Sequence, residues 1–368
     1  MNISSSRPIR AVILTGRART RKLTDRSEGE TPGSRLDYLS EGGVTAIVRD
    51  RNESLINPLA NVNTFYAGFD PMGALRILLF ERKADIIVGC FEYTVFLILL
   101  LRRLFFFRPR MLLLDVSPRG WWIRDRILDL VLSRVDYIIT LSTNSSEYVQ
   151  RCYRPRCPVR VLSQGVDEVF YRPLERKQQF DIASVGDDWS RDFATLLEAT
   201  RTLSCSLVLK TSRPVSVPPE MSHRVTLISE RISYENLREL YAAARVVCVP
   251  LKPSDNPGGI NTILEAMAMG KAIVASDHGT TRDHLSDGRD GLVVPPRDPL
   301  AMRKALERLL ANPGLAAELG ERARARVMRD FAKPVRNRRL AVLLRDAAGA
   351  APWLQDAPDT SGHTGVSG

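Results

Sequence analysis

VVCVPLKPSDNPGGINTILEAMAMGKAIVASDHGTTRDHLSDGRDG, residues 246–291, reads as strand, loop, helix and second strand in sequence. The run VVCV closing on Pro250 is short, apolar and unbroken, as a strand buried on both faces requires. A loop bearing Gly258 and Gly259 follows; the helix after it is expected to open on Thr262 and to carry Glu265 in its first turn. KAIVAS then restores strand character. Glycines let backbone N–H groups crowd around a ligand, and a helix N-terminus adds unpaired donors and partial positive charge. Gly258, Gly259, Ile260, Asn261 and Thr262 therefore read as a phosphate cradle. A carboxylate is misplaced for holding phosphate, so Glu265 is read as reaching a polyhydroxylated neighbour such as a ribose. A nucleotide-linked ligand meets both demands. The local alternative is a capping box, Thr262-Ile263-Leu264-Glu265, in which the carboxylate only satisfies a backbone N–H.

The same alternation extends in both directions. FDIASVG begins a second half at Phe180, and strands are expected at 207–210, 225–228, 246–250, 272–275 and 291–294. Asp298-Pro299 has the form of a helix cap, with Met302, Ala305, Leu306, Leu309 and Leu310 along one face. In the first half, apolar runs at 11–15, 44–48, 85–88, 111–114 and 137–141 are too short for amphipathic helices, and helices fit between them at 71–83, 123–133 and 145–152. The fold class is α/β, with two Rossmann-like doubly wound domains facing a cleft. The expected division is 1–173, 178–332, a helix at 333–348 that packs back on the first domain, and an aperiodic tail at 349–368 expected to be disordered. The charged loop 17–32 is expected to be mobile, and Gly16 stands at a strand's carboxyl end, where such sheets gather ligands.

With 368 residues, 44% of them hydrophobic, the chain can bury two cores. No run approaches the ~20 apolar residues a spanning helix needs. MNISSSRPIRAVILTG lacks the apolar core of a signal peptide, and five unpaired-looking cysteines fit a reducing compartment, so a cytoplasmic protein is expected. A net charge of +11 favours anionic partners without naming them, and nothing suggests nucleic acid. From Val95 the chain reads VFLILLL, then Arg102, Arg103, Leu104, three phenylalanines, Arg108 and Arg110. Cations interleaved with rings suit an anionic membrane surface; the other reading is a buried helix followed by a basic loop.

Three cations stand at expected strand ends or just after them. Arg191, in GDDWSRD behind the strand ending at Gly186, is placed to face a diphosphate or to form a salt bridge at a helix start. Lys210 ends the next strand, and Arg231 lies in the loop after the third, a position suited to a nucleobase.

LEAMAMGKAIVAS at 264–276, DGRDGLVVPPRDP at 287–299 and, more weakly, 183–199 and VLSQGVDEVFYRP at 161–173 resemble the retaining GT-B glycosyltransferases, glycosyl transferases group 1 and family 4-like. The resemblance implies transfer of a sugar, with retention, from a nucleotide-sugar donor to a saccharide or lipid-linked acceptor in polysaccharide or glycolipid assembly, without metal or other cofactor. It assigns ribose binding to Glu265 and donor phosphate to Arg191. The family's first glutamate falls at Pro257, so its sugar contact does not carry over. None of the four histidines, His223, His278, His284 and His363, lies in the first half; the place nearest the family's histidine is Asp115, able to bind a hydroxyl, take a proton or cap a turn. His278 and His284 are expected at the surface. These departures keep two alternatives: a catalytically weakened sugar-nucleotide-binding or scaffold protein, and a nucleotide-sugar epimerase of related fold.

Overall fold

A computed structural model describes residues 7–15, 32–33, 36–50, 71–115, 122–254 and 258–350. The 17–32 loop except its last residue, and the tail beyond residue 350, lie outside them.

Each half of the chain builds one parallel six-stranded sheet. The first contains β1 (Ile9–Thr15), β2 (Val44–Asp50), β3 (Ile86–Gly89), β4 (Arg110–Leu114), β5 (Tyr137–Thr140) and β6 (Val159–Val161), in the order β2-β1-β3-β4-β5-β6. The second contains β7 (Phe180–Val185), β8 (Leu207–Lys210), β9 (Val225–Ile228), β10 (Ala244–Val249), β11 (Ala272–Ser276) and β12 (Leu292–Val294), in the order β12-β11-β10-β7-β8-β9. Alternate side chains feed separate core layers on the two faces. Val12 and Leu14 join one layer while Ala11 and Ile13 join another; Val247 and Val249 oppose Val246 and Cys248 in the same way. Burial on both faces is why these strands appear in the sequence as continuous apolar runs.

β6 has no such mark. It is an edge strand of three residues with Arg160 and Val161 exposed, and it is paired on one side only.

The helix Lys333–Ala348 leaves the second half and covers the first sheet, placing Leu340, Ala341, Leu344 and Ala347 in one core layer with Ile13, Ile86 and Val88. The helix Glu92–Leu101 buries Val95, Ile98 and Leu99, and the turn after it buries Phe107. Leu104 and Phe106 of that turn project outward, 72% and 84% exposed. The segment is a core helix followed by an exposed basic and aromatic turn. No helix among the described residues is long and apolar enough to cross a membrane.

Candidate functional site

In the second sheet the strand order reverses between β7 and β10, so their following loops part and leave a crevice where open α/β sheets bind ligands. Two loops meet there. After β7, Gly186 adopts φ +153°, and a Cβ at that position would collide with the Arg191 guanidinium. The missing side chain lets Arg191 fold back over the strand end, where it is 4% exposed. Arg191 Nε donates to Asp188 Oδ2 at 2.7 Å and Nη2 to Thr262 Oγ1 at 2.8 Å, while Nη1 is buried without a hydrogen-bond partner among the described residues. The Thr262 hydroxyl in turn reaches Val185 O at 3.3 Å. A short antiparallel bridge between Arg191 and Leu251, with Lys252 N donating to Ser190 O at 2.7 Å, joins the two loops.

Gly258 lies beneath Ser190 and Asp188, in space a Cβ would fill, and Gly259 at φ +71° is the helix N-cap. Burial pushes the Asp188 carboxyl up, but the Arg191 charge and hydrogen bonds from Ser190 and Arg191 outweigh it and hold the group below its ordinary value.

The helix begins two residues earlier than its sequence suggests, spanning Ile260–Ala268. Thr262 is thus inside its first turn and Glu265 in its second. The capping box does not form, because the left-handed glycine rather than the threonine ends the loop. The Glu265 carboxylate instead accepts the Tyr241 hydroxyl at 2.9 Å. Tyr171 stands beside it, its buried hydroxyl close enough to act on the same carboxylate although no hydrogen bond of ordinary geometry joins them. Burial pushes the Glu265 carboxyl up to about 7, against the opposing pull of the Tyr241 and Tyr171 hydroxyls and the Arg191 charge.

Lys210 is buried at the end of β8, its Nζ 3.4 Å from Asp187 Oδ2, and its carbonyl accepts the Gly186 N–H. Asp187 is also desolvated, yet the Ser212 N–H and Lys210 draw its carboxyl below the ordinary value. Beyond Lys210, a cavity of about 560 Å³ opens at the carboxyl ends of β8 and β9, lined by Ser212, Arg213, Leu227 and Ser229 among others. The Arg213 guanidinium stacks 3.9 Å over the ring of Trp189, which is 84% exposed. Arg231 is exposed two residues past Ser229.

The fold therefore brings Gly186, Arg191, Gly258, Gly259, Ile260 and Thr262 together, with Glu265 behind them and Lys210 one strand away. Asp115 belongs to the other sheet, at the end of β4 with φ +66°, its N–H bonded to Ile139 O. Gly16 and Pro257 lie outside the described residues. His278 and His284 are core residues, 2% and 0% exposed, which corrects the surface expectation: His284 packs on Phe331 and its Nδ1 meets Thr280 O at 3.0 Å. Among the described residues no group of three or more His, Cys, Asp or Glu is arranged to hold a metal. Asp188, Tyr171 and Tyr241 were not singled out in the sequence. Glycines flanking Asp188 in the fold are the only local hint, and the tyrosines carry none.

Most of this crevice, from Arg191 onward, lies in a segment with known relatives. Residues 191–312 match the family model of the glycosyl transferases group 1. The match covers Arg191, Lys210, Arg231 and the loop and helix 258–268. The lipopolysaccharide core biosynthesis mannosyltransferase LpcC of Rhizobium leguminosarum bv. viciae is 25% identical over 227 residues, 55% of this chain and 62% of that protein. This chain thus spans about three fifths of that relative's length. In three dimensions it superposes on the sucrose-phosphate synthase of Thermosynechococcus elongatus with a TM-score of 0.71, covering 92% of this chain and 98% of the other at 19% identity. HepE of Anabaena, solved with UDP and glucose, gives 0.65 over 91% and 99% at 14% identity. The architecture is the GT-B fold, two Rossmann-like units with flanking helices.

Proposed function

We propose that this chain is a nucleotide-sugar-dependent glycosyltransferase that retains anomeric configuration and acts on a saccharide or lipid-linked acceptor. One observation carries the reading: at the switch point of the second sheet, two glycine-bearing loops converge with the start of the helix Ile260–Ala268, and the second loop, the helix and Arg191 fall in the family-matched segment. Solved HepE, which shares the architecture, holds UDP and glucose, in keeping with a sugar nucleotide here.

The roles follow from the chemistry of each group. The first N–H groups of the helix have no intrahelical acceptor, so those after Gly259 would take the diphosphate. Lys210 would add positive charge from the neighbouring strand. Glu265 in its ionised form would accept ribose hydroxyls, and the cavity beside Arg213 and Ser229, with Arg231 near its mouth in the chain, suits the base. In front-face substitution the departing diphosphate helps remove the acceptor's proton, so the protein's main task is to stabilise charge on that phosphate. Asp115 would orient the acceptor hydroxyl from the opposite sheet.

Arg191 would act through the loops. With two of its nitrogens committed to Asp188 and Thr262, it holds them together and has Nη1 left to give. That commitment, with Pro257 in place of the family's first glutamate, also favours a second reading, a sugar-nucleotide-binding protein with weakened catalysis.

A panel of uridine and guanosine sugar nucleotides separates the two. Both readings expect a donor that raises the melting temperature, by mass action; only the transferase reading expects radiolabelled sugar to move into a lipid or saccharide extract, with loss of transfer in Lys210→Ala. Donor binding without transfer supports the second reading. Donor turnover without any acceptor would point to an epimerase. No stabilisation by any donor would sink both main readings.

The exposed Leu104 and Phe106, with Arg103 before them and Arg108 after, suit docking of the first domain on an anionic bilayer, where a lipid-linked acceptor resides.

A further inference from the structure

The junction of the two halves holds two cations whose side chains form no salt bridge with a described carboxylate. In the first sheet the strand order reverses between β1 and β3, which places a second crevice beside Cys90, the residue after β3. Arg336, in the first turns of the helix Lys333–Ala348, reaches it. Its stem lies on Gly165, where an added Cβ would come within 3.1 Å of Arg336 Cβ, and its guanidinium stands beside Cys90. Nη1 donates to Asn337 Oδ1 at 3.2 Å, whereas Nε is buried with no hydrogen-bond partner among the described residues.

Lys333 stands one turn earlier. Its backbone N–H bonds Val166 O at 3.0 Å and Glu168 Oε2 at 3.2 Å, which fixes it to the chain connecting the halves. The nearby Asp167 is occupied by the N–H groups of Gly33, Val169 and Phe170. Burial pushes the Lys333 ammonium down to about 8, with the Arg336 charge adding to the effect and the Asp167 and Glu168 carboxylates opposing it, and burial pushes the Arg336 guanidinium down to about 10. Asp167 and Glu168 offset part of the Lys333 charge, whereas no carboxylate acts on Arg336, so two poorly solvated like charges remain under-compensated and an anion that joined them would stabilise the fold.

We propose that Arg336 and Lys333 form an anion site that takes a phosphate or carboxylate group of the acceptor. A planar guanidinium with an unused N–H and a point charge one turn away together suit an oxyanion. The assignment to the acceptor rests on the transferase reading, in which the donor's diphosphate belongs to the crevice of the second sheet.

The test is calorimetric titration of the full chain with inorganic phosphate, for wild type, Arg191→Gln, Arg336→Gln and Lys333→Gln. Arg191→Gln is expected to lose only phosphate held in the donor crevice and to keep binding at this site, whereas both other variants bind here at least tenfold more weakly. Lys333→Gln decides the matter alone if Arg336→Gln does not fold. Absence of phosphate binding in wild type, or binding lost in Arg191→Gln but kept in Lys333→Gln, overturns the site. Repeating the titration with saturating UDP or GDP finds the source: unchanged phosphate binding supports the acceptor, and displacement by the nucleotide overturns that assignment. The titration needs neither donor sugar nor acceptor, so its outcome and that of the transfer assay are independent.

Discussion

At the scale of a single residue, Glu265 connects protonation to both stability and binding. In the folded chain burial raises its carboxyl from 4.5 to about 7, with Tyr241, Tyr171 and Arg191 pulling the other way. Between those values the folded state holds a proton that the unfolded chain has released, so stability falls as pH rises from about 4.5 to about 7 and changes no further above it. Glu265→Gln removes that dependence. The full shift corresponds to about 3 kcal/mol, and because the residue as a whole is only half-buried the expected effect is about 1–2 kcal/mol. Urea unfolding at pH 5 and pH 8 should therefore show the variant gaining on wild type at the higher pH; equal differences at both would mean that the carboxyl is hydrated. Donor affinity should move the opposite way, falling below about pH 7 as the carboxylate protonates. Glu265 itself stood out as the one acid in LEAMAMG, but its surroundings did not. Tyr241 is 24 residues away and the Arg191–Thr262 contact spans 71, and such contacts leave no periodic trace in a sequence.

At the scale of elements, what burial fixes was legible and what one turn decides was not. The strands of the second sheet are filled by Val, Ile, Leu and Ala on both faces, so their order and approximate limits followed from the apolar runs. β6, with one paired edge, offered only three residues after Pro158. The start of the helix Ile260–Ala268 was misplaced because Thr262 resembles a cap, whereas the conformation of Gly259 ends the loop earlier. The turn after the helix Glu92–Leu101 yields a prediction at this scale. Phe106 takes φ +51°, a conformation unfavourable for a bulky side chain, and its ring is outside the core. Leu79 and Phe80, which end the helix Pro71–Phe80 that packs against the helix Glu92–Leu101, are also exposed. Replacing Leu104 and Phe106 by serine should leave the melting temperature within a few degrees, since neither is buried, and should weaken sedimentation with anionic vesicles about tenfold or more at low salt. Unchanged sedimentation would rule out this turn as the contact.

At the scale of the whole molecule, the helix Lys333–Ala348 ties the end of the chain to its beginning. It leaves the second half through the bridge between Val166 and Ala332, then spends Leu340, Ala341, Leu344 and Ala347 on the core of the first sheet. The first sheet is thus completed by residues that follow the whole second sheet in the chain, and it has its full core only after those residues arrive. Leu344, fully buried in the layer with Ile13 and Val88, is the most direct probe. Leu344→Ala removes three carbons from a site closed by strands on one side, and the expected cost is about 2–4 kcal/mol. If each sheet opens as its own cooperative unit, hydrogen exchange should show the loss in the amides of β1, β3 and β4, while β7 and β10 keep their protection. Loss shared equally by both sheets would instead mean that the two halves unfold together, with the crossing helix as a strut between them. The first outcome leaves the donor crevice intact in a chain whose acceptor side has loosened, so nucleotide stabilisation should persist in Leu344→Ala even as sugar transfer declines.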